Sequence, residues 1–93
     1  MATFDIGETV VCSIEVKTDA GILVDPATSM KITIISPPGS IIINAIDMTK
    51  NAVGKYYYDF ASASQAEGEY IVKYTATDGS RITIEKGKFR LEV

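Results

Sequence analysis

The chain has 93 residues, 46% of them hydrophobic and 23% charged, with no low-complexity tract, so residues 1–93 read as one globular domain and not as a disordered segment. A net charge of −3 and a pI near 4.8 disfavour a nucleic-acid partner, whose phosphates require basic surface. No histidine, a single cysteine and no apolar run near the ~18 residues of a membrane span argue against Ser/His or Cys/His catalysis, zinc binding, an internal disulfide and membrane insertion.

The expected elements follow in chain order. Residues 3–6 form a short strand with Phe4 and Ile6 on one side, and Gly7-Glu8 turns the chain. Residues 9–17 form a second strand, with Val10, Cys12, Ile14 and Val16 facing in and Val11, Ser13, Glu15 and Lys17 facing out. Cys12 on the inner face reads as a small buried hydrophobe. Residues 18–29 are a long connection made of turn formers, Asp19-Ala20-Gly21 and Asp25-Pro26, since proline cannot donate to a central ladder. Between them Ile22-Leu23-Val24 either tucks beneath the loop or makes a short edge strand. Residues 30–36 place Met30, Ile32 and Ile34 in and Lys31, Thr33 and Ile35 out, and Pro37-Pro38-Gly39-Ser40 ends that strand. Residues 41–48 are a fourth strand whose buried face is concealed by three consecutive isoleucines. Asn51-Ala52-Val53-Gly54 reverses the chain. Residues 55–60 put Tyr56, Tyr58 and Phe60 in and Tyr57 out, and the small polar residues 61–67 make a loop or one helical turn.

Residues 68–89 carry the strongest local signal. Tyr70, Val72, Tyr74 and Ala76 alternate with mostly polar neighbours, Asp78-Gly79-Ser80 forms a tip, and Ile82 and Ile84 alternate on the return. This is a β-hairpin. The apolar parity then changes to Phe89, Leu91 and Val93, which predicts a β-bulge near Lys86-Gly87. Seven short strands at regular spacing, with no helix of normal length, indicate an all-β sandwich or barrel.

In this order, Phe4-x-x-Gly7-Glu8-x-Val10, Asp19-x-Gly21 with Asp25-Pro26, Pro38-Gly39, Gly54-Lys55-Tyr56 and Gly68-x-Tyr70 resemble the immunoglobulin-like domains of bacterial, archaeal and phage proteins, including macroglobulin-type surface modules. The resemblance covers essentially the whole chain. It implies a seven-stranded immunoglobulin-like Greek-key β-sandwich in which Tyr70 occupies a tyrosine-corner position. The antibody pattern is not followed: Val72 and Tyr74 stand where a partner for Cys12 would be, and Ile32 replaces the core tryptophan. A short chain of this type is also similar to small structural proteins of phages and prophages.

Two groups of residues are candidates for function. If three connections meet at one pole, Asp19, Asp25, Asn51 and Asp78 become a candidate Ca²⁺ site; each aspartate is read ahead of that as a turn former, because no D-x-D-x-D-G spacing is present. The outward apolar residues Ile35 and Ile71 on one sheet, and Val11 and Tyr57 on the other, are candidates for an interaction surface. The expectation is a non-enzymatic structural or interaction module without cofactor, an accessory component of a phage or prophage particle acting through a protein partner or self-assembly. The alternative is an adhesion or carbohydrate-binding module of a cell-surface protein. No basic-then-apolar leader follows Met1, so the expected location is the virion, or the host cytoplasm before assembly. A fragment of a longer secreted protein would instead sit at an extracellular surface.

Overall fold

Alternation of apolar and polar residues commits most of this chain to strands buried on one face. The computed structural model describes residues 2–37 and 39–93; Pro38, within the expected turn after the third strand, lies outside the described residues. The strands are β1 (Ala2–Asp5), β2 (Thr9–Glu15), β3 (Ser29–Ser36), β4 (Ser40–Asp47), β5 (Thr49–Ala52), β6 (Lys55–Ala61), β7 (Gly68–Asp78) and β8 (Arg81–Glu92). They make two sheets, a five-stranded one ordered β1-β8-β7-β3-β4 and a three-stranded one ordered β2-β6-β5. Neighbours are antiparallel except β1, which runs parallel to β8. The architecture is therefore an all-β sandwich, and among the described residues no helix is long and apolar enough to cross a membrane.

The core lies where the inner faces meet. Val10 and Cys12 from β2, Met30, Ile32 and Ile34 from β3, Phe60 from β6, Tyr70 and Val72 from β7, and Phe89 and Leu91 from β8 are buried there, with Met48. Phe89 is its aromatic hub. Its ring stacks on Tyr70 at 5.1 Å, lies 5.9 Å from Phe60 and takes Phe4 edge-on at 6.2 Å. The Tyr70 hydroxyl donates to the Ala66 carbonyl at 2.6 Å, tying the β6–β7 connection to the base of β7. Tyr70→Phe removes that bond and leaves the carbonyl without its donor. A loss of about 1 kcal/mol, or a melting point lower by about 4–8 °C, is expected in thermal unfolding. An unchanged midpoint would mean that the hydroxyl does not hold this corner.

The structure corrects the expected strand pattern in two places. It has eight strands among the described residues, where seven were expected, because the chain changes sheets at Met48. The Met48 N–H donates to the Met30 carbonyl at 2.9 Å, and the next residues pair with β6 in the other sheet. The second correction concerns the hairpin, which has no bulge at Lys86-Gly87. Its register runs unbroken from Gly68 opposite Leu91 to Asp78 opposite Arg81. The odd-numbered residues of β8 therefore face inward along its length, and Ile82 and Ile84 face outward, 64% and 49% exposed. The physical reason is length: β7 and β8 have 11 and 12 residues against 7 each in β2 and β6, so the hairpin tip outruns the packed core. There the inner face borders a cleft, where Thr83 and Glu85 are at home. Register shifts lie instead between β3 and β4, where two each place an extra residue on β4, and between β5 and β6 at Lys50 to Ala52. Ala45, at φ 51°, sits at one of them, and its N–H is held by Thr33 Oγ1 at 3.1 Å.

Candidate functional site

The loop pole is built on residues 16–28. The Val16 N–H donates to the Gly54 carbonyl at 2.7 Å, and the Val24 N–H to the Val16 carbonyl at 3.0 Å. Lys17 bridges to Leu23, so Leu23 and Val24 are partly covered while Ile22 stays exposed. At the far end of the connection, the Thr28 N–H donates to the Thr77 carbonyl and Thr28 Oγ1 accepts from the Gly79 N–H. The three connections thus do meet at one pole.

Asp25 is the clamp of this pole. Its Oδ1 accepts from the Gly54 N–H at 2.9 Å and the Tyr56 hydroxyl at 3.1 Å, while Oδ2 takes the Lys50 ammonium at 2.6 Å. The Gly54 amide first, and Lys50 after it, hold the Asp25 carboxyl below its ordinary range. The same bond pushes Lys50 up, and burial followed by the Asp25 contact pushes Tyr56 up. Asp25 therefore spends both oxygens on protein donors, the turn-former reading extended across the fold.

A cleft of about 420 Å³ opens beside this clamp, between the hairpin tip and the connection. Ile14, Val16, Met30, Tyr74 and Ala76 make its apolar lining, and Glu15, Asp19, Asp78, Arg81, Thr83 and Glu85 its polar one. Asp19, Asp25 and Asp78 all border it, but Asn51 does not. Asn51 lines a separate hollow with Ser13, Glu15, Lys55 and Tyr57. The structure does not gather the four candidate Ca²⁺ residues into one site, and among the described residues no three His, Cys, Asp or Glu side chains are close enough to hold a metal.

The outward apolar residues are arranged differently on the two sheets. Ile35 lies directly opposite Ile71 on β7 and opposite Ile41 on β4, so one isoleucine row crosses three strands of the five-stranded sheet. Lys88, opposite Ile71, ends the row and pairs with Glu69 at 3.3 Å. In the next row Lys73 faces Lys86. On the other sheet Val11 is opposite Asp59 and Tyr57 opposite Ser13 and Thr49, which makes Val11 and Tyr57 diagonal neighbours. Protein-family models, curated proteins and solved structures yield no match to this chain. The site must be read from its own geometry.

Cys12 and Tyr74 face each other's surroundings inside the sandwich. Burial, with the Asp59 charge second, pushes the Cys12 thiol up to about 11; burial, with Cys12 second, pushes Tyr74 up to about 12. Folding therefore favours the protonated forms. Their contribution is fully present below the unfolded thiol's ordinary range of about 8.5 and is lost as pH rises through 9 toward 12. Denaturant midpoints measured across this range should fall steadily, and Cys12→Ala should flatten the lower part of the fall. At pH 8 the native thiol should resist an aromatic disulfide reagent until the chain unfolds. Rapid labelling of the folded protein would contradict that burial.

One residue escaped sequence reasoning altogether. Ser62, fully buried, donates through Oγ to the Glu8 carbonyl at 2.6 Å and accepts from the Gly7 N–H at 2.9 Å. It locks the β6–β7 connection to the β1–β2 turn. Nothing in the Ala-Ser-Ala-Ser run distinguishes it from its neighbours.

Proposed function

We propose that this chain is a non-enzymatic interaction module, an immunoglobulin-like sandwich that docks on a larger assembly of the phage or prophage particle kind. The observation that carries the docking face is the row Ile71, Ile35, Ile41 on the outer surface of the five-stranded sheet. An apolar row of this kind with charged neighbours is suited to a core-and-rim contact. The immunoglobulin-like reading is supported by the order β8-β7-β3-β4 facing β2-β6-β5, with β4 as an added edge strand, and by the Tyr70 hydroxyl on Ala66. The phage assignment rests on the resemblance of type. The non-enzymatic reading is supported by the absence of histidine and by Asp25 being committed to structure. We prefer a protein partner to carbohydrate because Tyr56 and Tyr58 face inward and leave Tyr57 alone as a stacking platform.

The test uses particles recovered after induction of the host that encodes the chain. The wild-type protein should co-sediment with them on a gradient. The variant Ile35→Thr/Ile71→Thr, β-branched at both sites to keep strand preference, should stay folded and remain at the top. Absence of the wild-type chain from particles, or equal binding by the variant, would refute this reading.

A further inference from the structure

We infer that β8 is a self-recognition edge, on which residues 81–85 pair antiparallel with the same residues of a second copy about a two-fold axis at Thr83. The edge is open. β1 covers only Phe89 to Glu92, and among the described residues no strand pairs with the earlier part of β8 on that side. The other long edges differ. β4 is distorted by two register shifts, a device that discourages pairing, and β2 carries Glu15 as its only charge, which a two-fold copy cannot complement.

The backbone of β8 is correctly phased for this contact. Asp78 and Arg81 close a two-residue loop, with Gly79 at φ 64° in its first position, the pattern of a type II′ turn. The pair flanking such a loop exchanges hydrogen bonds, so Arg81, Thr83 and Glu85 bond toward β7. Ile82 and Ile84 then direct their N–H and C=O groups at the open edge.

The side chains complete the case. A two-fold axis perpendicular to the sheet keeps inner and outer faces matched, so only residues of like parity face each other. Centred on Thr83, Ile82 meets Ile84 of the second copy on the outer face, and Arg81 meets Glu85 of the second copy on the inner face. Centring on Ile84 instead would oppose Ile82 to Lys86 and Thr83 to Glu85, losing both matches. In the single chain Ile82 and Ile84 are exposed, and among the described residues Arg81 and Glu85 make no ion pair within 4.0 Å. The contact gives each of these groups a partner. It is closed, since each copy uses its open edge once, so the product is a dimer with a ten-stranded sheet and not a filament. Five residues per copy bury less than the ~1,200 Å² of stable complexes, so the expected association is weak and concentration-dependent.

Sedimentation velocity from about 1 µM to 1 mM tests this, with the weight-average mass rising from 10.0 kDa toward twice that value. Arg81→Glu and Glu85→Arg should each raise Kd about tenfold or more, and the double variant should restore it, because two symmetry-related pairs change sign and then recover. Ile84→Pro removes an edge-facing N–H without touching the β7 ladder and should abolish association while far-ultraviolet circular dichroism is retained. A monomer throughout, a Kd indifferent to single charge reversal, or no restoration in the double variant would each overturn the proposal. Ile35→Thr/Ile71→Thr lies away from this edge and should leave Kd unchanged, so failure of the docking face and failure of the dimer edge are read separately.

Discussion

Gly54→Ala is expected to lower stability by about 3 kcal/mol and to release residues 16–28 from the sandwich. Gly54 is buried at φ 70°, where an L side chain costs about 1–2 kcal/mol before any contact is counted. A Cβ there would lie 2.8 Å from the Val16 carbonyl oxygen, 2.9 Å from the Val24 nitrogen and 3.0 Å from Leu23 Cβ. Two of these are backbone atoms hydrogen-bonded to each other at 3.0 Å, and Val16 is also tied through its N–H to the Gly54 carbonyl at 2.7 Å, so they have nowhere to move. Relief requires the loop to lift, which also takes Asp25 from the Gly54 amide. Gly79→Ala is the matched control. Its φ is 64° but nothing lies within 4 Å of the added carbon, so only the conformational cost of about 1–2 kcal/mol applies. Urea midpoints for the two variants, with hydrogen exchange at Val16 and Val24, separate the terms. Equal losses would mean that the close approach at Gly54 contributes nothing.

The same local rule was informative in some strands and misleading in others, for reasons visible in particular residues. Val10 and Cys12, Met30 to Ile34, and Tyr70 and Val72 alternate where a second sheet lies directly opposite, so the apolar side is the inner side. Period two says that a strand has two faces. It does not say which one meets the core. Along the distal half of β8 the inner face borders the cleft, and Ile82 and Ile84 mark the outer one. Around Ile41, Ile42 and Ile43 the pattern is saturated, and the bulge at Ala45 leaves no compositional trace. Of the proposed interaction residues, Ile35 and Ile71 are both outward by parity in the sequence, and the β3–β7 ladder sets them directly opposite. The role of Asp25 did not follow, because its partners Lys50, Gly54 and Tyr56 are 25, 29 and 31 residues away in sequence. An Asp-Pro turn looks the same whether its carboxylate meets water or a distant amide.

Phe89→Ala should be the most damaging single truncation in the core. Its side chain is buried and touches rings from β1, β6 and β7, so its removal leaves a cavity bounded by both sheets, and the expected loss is about 3–5 kcal/mol. A chain of this length has about 5–14 kcal/mol to lose, and the melting point should fall by about 15 °C or more. β1 should suffer first. It is four residues long, its pairing begins with Ala2 opposite Phe89, and Phe4 loses its edge-on partner. Hydrogen exchange in β1 should therefore accelerate more than in β3. Phe89→Leu, which fills most of the space, should cost less, and combining Phe89→Ala with Tyr70→Ala should give less than the sum because the two rings stack and the stack is lost only once. The result also bears on the open edge. In an unbroken hairpin ladder Phe89 and Ile84 cannot both face inward, since they differ in parity. A wild-type midpoint for Phe89→Ala would put Ile82 and Ile84 in the core and remove them from the edge. A large loss keeps them outside, where a second copy can meet them.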